Sequence, residues 1–309
     1  MKKIVVFGSI NTDLTISSPY IPTTGETLKG DDFTITHGGK GANQAVAASR
    51  LGADVQMIGC IGNDSFGRDA LISLKNEKIG TTYVRVIDDV PTGIAIIIRV
   101  QGDNRIILNS GANEHLNCED LRTYMLKHIS KSSVFVTQLE NKPEEVFKAI
   151  KQASRSKMMT IFNPAPASII PDDVYEFVDC LVVNQTESKI LTNIYPLTDD
   201  DCLNVYKILK NKGLKKLIIT LGILGSVVLT EDRTVKIDSI QVDTVDSTGA
   251  GDAYVGALSY CLSKDMDLIE ACRFASNVSA LSVMKKGAQD SLPTFDEVNC
   301  FIRRKENEK

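Results

Sequence analysis

Short apolar runs alternate with helical patterns along most of this chain, and that alternation limits the folds open to it. Lys3–Gly8, Val55–Ile61, Tyr83–Ile87, Val134–Leu139, Met158–Phe162, Leu181–Val183 and Leu217–Leu221 read as buried strands. Helical stretches separate them, at about 65–78, at 119–129, and from Pro143, which opens a helix where its missing N–H costs nothing. Strands reached through helices lie parallel, and a parallel sheet is covered on both faces. The expected fold class is therefore α/β, a mostly parallel central sheet flanked by helices. Ligands of such sheets bind beyond the carboxyl ends of the strands. Asn11, Asp13, Glu140, Asn163, Asn184 and Thr220 each lie at or just beyond a strand's carboxyl end and so fall on that one edge.

Two stretches do not fit the alternation. Residues 14–36 alternate weakly and are broken by Pro19, Pro22, Gly25 and Gly30. Residues 92–110 form the best hairpin in the chain, turning at Gln101-Gly102-Asp103-Asn104. Both are expected to lie outside the main sheet, as a small β-sheet. The hairpin is too apolar for a lone surface element, so one face packs on another chain or closes over a ligand. No linker or repeat interrupts residues 1–309, which read as a single domain. Ser226–Leu229 with Thr234–Ile237 reads as a further hairpin, and helices are expected at 267–284 and 294–304, before a solvated tail at 303–309.

A chain of 309 residues that is 43% hydrophobic can bury a large core. A net charge of -4 with no basic stripe offers no footprint for nucleic acid. The apolar start, Ile4 to Phe7, is too short for a signal sequence or a membrane span, and the expectation is a cytoplasmic protein. The seven cysteines are odd in number, with no C-x-x-C pair and no clustered histidines. They read as reduced thiols rather than as a zinc site.

The chemistry concentrates in Asp246-Ser247-Thr248-Gly249-Ala250-Gly251-Asp252. Its small residues let the backbone turn tightly into a helix whose free N–H groups form an anion site. Asp252 sits at the rim of that site as a proton acceptor, and phosphoryl transfer to a hydroxyl needs both parts. A second glycine-rich stretch, His37-Gly38-Gly39-Lys40-Gly41-Ala42-Asn43, brings backbone close to some partner and aims Lys40 and Asn43 at it from a helix start. No Ser or Thr follows Lys40, so this is not a Walker A loop, and no G-x-G-x-x-G follows the first strand.

Together these two stretches, in this order and at this separation, resemble the two signatures of the ribokinase-like (PfkB) carbohydrate kinases. Gly8 to Asp13, Asn163 to Ala167 and Gly287 to Thr294 extend the resemblance over essentially the whole chain. It implies transfer of the ATP γ-phosphoryl to O5 of D-ribose with Mg²⁺ and K⁺, a β-sheet lid built from about 14–36 and 92–110, and a homodimer through the lids. Carried residue by residue, it implies that Asn11, Asp13, Gly39, Lys40, Gly41, Asn43 and Glu140 bind the sugar. Asp252 would be the base, with Gly249, Ala250 and Gly251 at the phosphoryl group. Asn184, Thr220, Gly222, Gly225, Gly251, and Ser276 or Asn277 would face the nucleotide. Asp246, Thr248, Ser282, Lys285, Gly287 and Ser291 would surround the monovalent cation. The chain departs from the family pattern at Ala253-Tyr254, Ile223-Leu224 and Ser276, which bear on nucleotide preference. A sister kinase acting on deoxyribose, fructose, a nucleoside or deoxygluconate stays open, as does an inactive sugar sensor.

Overall fold

The apolar runs pair as parallel strands in the computed structural model, which describes residues 1–101, 103–128 and 133–307. The strands are β1 (Lys3–Phe7), β2 (Asn11–Ser17), β3 (Asp31–Gly38), β4 (Val55–Gly62), β5 (Gly80–Ile87), β6 (Gly93–Val100) and β7 (Asp103–Asn109). There follow β8 (Ser133–Thr137), β9 (Met159–Phe162), β10 (Cys180–Asn184), β11 (Leu217–Thr220), β12 (Ser226–Leu229) and β13 (Thr234–Ile237). The α-helices are α1 (Lys40–Arg50), α2 (Ser65–Asn76), α3 (Cys118–Lys127), α4 (Pro143–Arg155) and α5 (Gln185–Thr192), then α6 (Asp199–Asn211), α7 (Ala250–Ser263), α8 (Leu268–Ser282) and α9 (Phe295–Asn307).

The main sheet has the order β13-β12-β11-β10-β9-β8-β1-β4-β5. All its pairs are parallel except β11–β12 and β12–β13, so the hairpin at 226–237 extends the sheet rather than standing apart. β1 lies between β4 and β8, and the chain order reverses there. That reversal opens a crevice beyond the carboxyl end of β1, where such sheets bind ligands. Among the described residues, no helix is long and apolar enough to cross a membrane.

The second sheet, β3-β2-β6-β7, contains the two stretches that did not fit the main alternation. Its boundary differs from expectation, because β2 starts at Asn11 and not at 14. The Asn113 carboxamide explains the early departure: its Oδ1 accepts from the Ile10 N–H at 2.9 Å and its Nδ2 donates to the Ile10 carbonyl at 3.2 Å. A side chain thus replaces the strand partners that the backbone would otherwise need, and the chain can leave one sheet for the other. The expected helix at 119–129 forms as α3; position 129, Gly102 of the hairpin turn and the last two residues of the tail lie outside the described residues.

Two apolar layers sandwich the main sheet. One joins α1, α7 and α8 to it, and the other joins α4 and α6. Small residues set the spacing of the first layer. A Cβ at Gly256 of α7 would stand 2.8 Å from the Gln44 carbonyl oxygen, so α1 and α7 approach closely only because glycine is there. This contact brings the start of α1 against the start of α7, and the two signature stretches meet.

Candidate active site

Gly249 turns the chain into α7 with φ 77, a left-handed conformation that glycine adopts without strain. Gly251 follows in the first turn, and a Cβ built there meets nothing within 4 Å, so the backbone faces open space. Asp252 is buried beside it. Asn43 Nδ2 donates to Asp252 Oδ2 at 2.9 Å, and Gln44 Nε2 donates to Oδ1 at 3.0 Å. Gln44 is held in turn, accepting from Gln138 Nε2 at 2.6 Å and donating to Asn163 Oδ1 at 3.2 Å. Asp252 is therefore the end of a buried amide network, with both of its oxygens fixed. Gln44 escaped the sequence reading, although it lies within the quoted motif, because its partners come from three distant segments.

Asn11 and Asp13 share one face of β2, as their spacing requires. Asp13 packs against Gly38, where any Cβ would collide with its carboxylate. Burial, with Glu140 and Asp252 adding repulsion and Lys40 opposing, pushes the Asp13 carboxyl up to about 7. Lys40, at the first position of α1, is held above the usual lysine range by Asp252 first, with Glu140, Glu187 and Asp13 adding, against the cost of burial. Glu140 accepts from Ser9 Oγ at 2.6 Å, the Lys40 N–H at 3.0 Å and Asn11 Nδ2 at 3.4 Å. It thereby joins the β1–β2 connection to the start of α1. Gly39 and Gly41 let these backbones touch: a Cβ on Gly41 would lie 2.6 Å from the Ser9 nitrogen. Asn43 Oδ1 is buried with no partner among the described residues. An acceptor left so is satisfied when a ligand hydroxyl donates to it.

On the other side of Gly251 lies a cavity of about 430 Å³. Asn184, Thr220, Gly222, Gly225, Gly251 and Ser276 all line it, as do Ile223 and Tyr254 from the departing positions. Asn277 does not; its amide turns back to the Arg273 carbonyl at 2.9 Å. Asn184 also caps α5, in a reciprocal pair with Glu187. Glu187 is a further acidic group the sequence reading left out. Burial raises its carboxyl above the usual range, and it interacts electrostatically with both Lys40 and Asp252.

Of the residues expected around a cation, Asp246, Thr248 and Gly287 meet. Asp246 Oδ1 accepts from the Thr248 N–H at 2.9 Å and hydroxyl at 2.6 Å, and Oδ2 accepts from the Gly287 N–H at 3.0 Å. Ser282 and Ser291 are buried, donating to the Ser279 and Ala288 carbonyls. The Lys285 ammonium pairs outward with Glu297 at 2.8 Å, so only its carbonyl could serve a cation. Arg99 adds an unexpected partner, its guanidinium reaching Asp246 Oδ2 at 3.2 Å. Burial pushes the Asp246 carboxyl up, but the hydrogen bonds from Thr248 and Gly287 and the Arg99 charge outweigh it and hold it below the usual range. Among the described residues, no group of three His, Cys, Asp or Glu side chains is arranged to hold a metal.

The chain is similar to known proteins. The model of the pfkB family carbohydrate kinases matches residues 1–295. A ribokinase of Haemophilus influenzae is 38% identical over 97% of this chain and 98% of its own. A deoxyribokinase of Salmonella typhi is 35% identical over the same shares, 97% and 98%. Among solved structures, that of Arabidopsis thaliana ribokinase complexed with ribose and ATP superposes with a TM-score of 0.88 at 26% identity, covering 97% of this chain and 98% of that one. With its two signature stretches in contact around Asp252, the chain belongs to the pfkB family of carbohydrate kinases.

Proposed function

We propose that the chain transfers the γ-phosphoryl of ATP to O5 of D-ribose, giving ribose 5-phosphate and ADP. The observation that carries this reading is the position of Asp252. It stands at the start of α7 between the cavity containing Asn184 and Ser276 and the polar cluster of Asn11, Asp13, Lys40 and Asn43. A sugar hydroxyl on the polar side would meet a phosphoryl group from the cavity side at that carboxylate. Asp252 accepts the hydroxyl proton as the bond to phosphorus forms, and Asn43 and Gln44 keep its oxygens oriented for it. The N–H groups of 249–251 face the charge on the transferred group, in fixed positions that need no reorganisation. Lys40 contributes a positive charge on the sugar side.

Magnesium fits this site as a companion of the nucleotide. Asn184, which lines the cavity, and the Glu187 carboxylate paired with it at the start of α5 would hold such an ion near the nucleotide phosphates. When bound, it neutralises phosphate charge. The residues that would hold potassium are Thr248, Ser282, Lys285, Gly287 and Ser291, through hydroxyls and carbonyls, beside an Asp246 carboxylate that Thr248, Gly287 and Arg99 already engage. Such an ion would shape the 246–252 turn without touching substrate. Raising KCl at matched ionic strength should therefore increase turnover at fixed Mg²⁺, and NaCl should do so less. A wild-type rate indifferent to potassium, or an Asp246→Ala protein that responds normally, would remove the cation from the mechanism.

The deoxyribokinase likeness makes the sugar the sharpest question. Asn11, Asp13 and Asn43 are built around hydroxyls, and a missing hydroxyl leaves buried groups unpaired at about 1–3 kcal/mol each. In a coupled assay of ADP release across a panel of sugars, kcat/KM for D-ribose should exceed that for 2-deoxyribose by roughly 5–150-fold. Equal values, or a better hexose or nucleoside, would assign a sister activity.

The lid's outer face supports a homodimer. Ile35, Leu14, Ile96 and Ile107 form one cross-strand row, and three of them are exposed, with Phe33 beside them. An apolar row of this kind fits a second copy of the same row. Wild-type protein should sediment as a dimer and Ile107→Lys as a monomer; a monomeric wild type would contradict the assignment.

A further inference from the structure

The lid touches the anion loop through a pair of residues that the sugar and nucleotide sites do not require. Arg99 and Asn104 are cross-strand partners at the end of the β6–β7 hairpin. Both reach the same turn: Arg99 pairs with Asp246 at 3.2 Å, and Asn104 Nδ2 donates to Thr248 Oγ1 at 3.4 Å. Arg99 also lies opposite Ser17 of β2, so by the two-residue period it shares the face that carries Asn11 and Asp13. One lid face thus bears the sugar-binding side chains at its base and an arginine on the anion loop at its tip. Asp246 is the pivot of that loop, because its other contacts fix both Thr248 and Gly287. Its carboxylate has about four acceptor positions, and Thr248, Gly287 and Arg99 fill them.

We propose that Arg99 is a positioning residue that couples the sugar site to the nucleotide site, by letting the lid that sugar holds down set the shape of the 246–252 turn. The proposal rests on the kinase reading above, and adds that the two substrates help each other bind through this ion pair. A surface ion pair without such a role contributes little, but this one is partly shielded, with side-chain exposures of 32% for Arg99 and 12% for Asp246. It is also the contact through which movement of the lid would reach Asp246, and coupling between two sites needs differential contacts of this kind.

The test is calorimetric titration of ADP with Mg²⁺ into wild type, Arg99→Gln and Arg99→Lys, each with and without saturating D-ribose. In wild type, ribose should tighten ADP binding by roughly 5–150-fold, the range typical of coupled sites. In Arg99→Gln that factor should fall toward one, while ribose alone binds within about twofold of wild type, since Arg99 is not in the sugar cluster. Arg99→Lys keeps the charge and should retain more of the coupling than the Gln variant. Undiminished coupling in Arg99→Gln, no coupling in a wild type that binds ribose, or equal loss in both variants would overturn the proposal. A wild type that binds no ribose would instead overturn the kinase reading on which it rests.

Discussion

Replacing Asp252 by Asn is expected to lower kcat by roughly 10²–10⁴-fold, the usual loss when a positioned base is removed, and to leave the melting temperature within a few degrees of wild type. The change is nearly isosteric, and Asn43 and Gln44 both donate to this side chain, so the variant keeps one amide-to-carbonyl contact and sets an NH₂ group against another donor. KM for the nucleotide should move little, whereas KM for the sugar should rise, because Asn43 is bonded to Asp252 and Lys40 has its largest electrostatic partner there. Single-turnover mixing of sugar and ATP separates chemistry from product release and is the measurement to make. A variant within a few-fold of wild type would show that Asp252 is only a charged wall of the sugar pocket and that the proton leaves by another route.

The parts of this site that could be read from the sequence were those carried by local rules. Small residues before a helix, a carboxylate in its first turn, and polar residues after apolar runs are all short-range patterns, and Gly249, Asp252, Asn11 and Asn184 obey them. The α/β alternation was equally legible, since the inner strands of the main sheet are buried on both faces and read as apolar runs. Long-range contacts were not legible. Gln44 sits beside Asp252 only because Gly256 lets two helices touch, and Arg99 meets Asp246 across 147 positions of chain. Nor did the register of Asn113 with Ile10, which starts the lid three residues early, leave any mark in the pattern around residue 11. Ser276 and Asn277 were indistinguishable in sequence. One position of helix rotation, about 100°, puts the first in the cavity lining and turns the second toward Arg273.

Asp13 should be the most pH-sensitive element of sugar binding, and its removal the most damaging to affinity. In the free protein its carboxyl is pushed up to about 7 by burial, then by Glu140 and Asp252. Sugar hydroxyls donating to the carboxylate favour the ionised form and lower that value in the complex. Binding near neutrality must then release up to one proton, and affinity should rise with pH through about 7 and level off above it. Calorimetry in two buffers of different ionisation enthalpy reads the proton directly; no buffer dependence would show that Asp13 keeps its proton or never holds one. The same shift carries a cost in stability, and its sign can be worked out. Between the unperturbed value of 3.8 and about 7, the folded chain holds a proton that the unfolded chain does not. The contribution of this group to stability therefore falls as pH rises through that window and is at its lowest above it. Asp13→Asn should accordingly melt higher than wild type at pH 8, by a smaller margin at pH 5, and about equal to it near pH 3.8, a gain obtained by removing a group that function requires. Asp13→Ala should weaken D-ribose binding by roughly 10²–10⁴-fold, two charge-assisted hydrogen bonds at about 1.5–3 kcal/mol each. If the alanine variant instead binds ribose within tenfold of wild type, Asp13 lines the pocket without holding the sugar, and the lid face has another anchor.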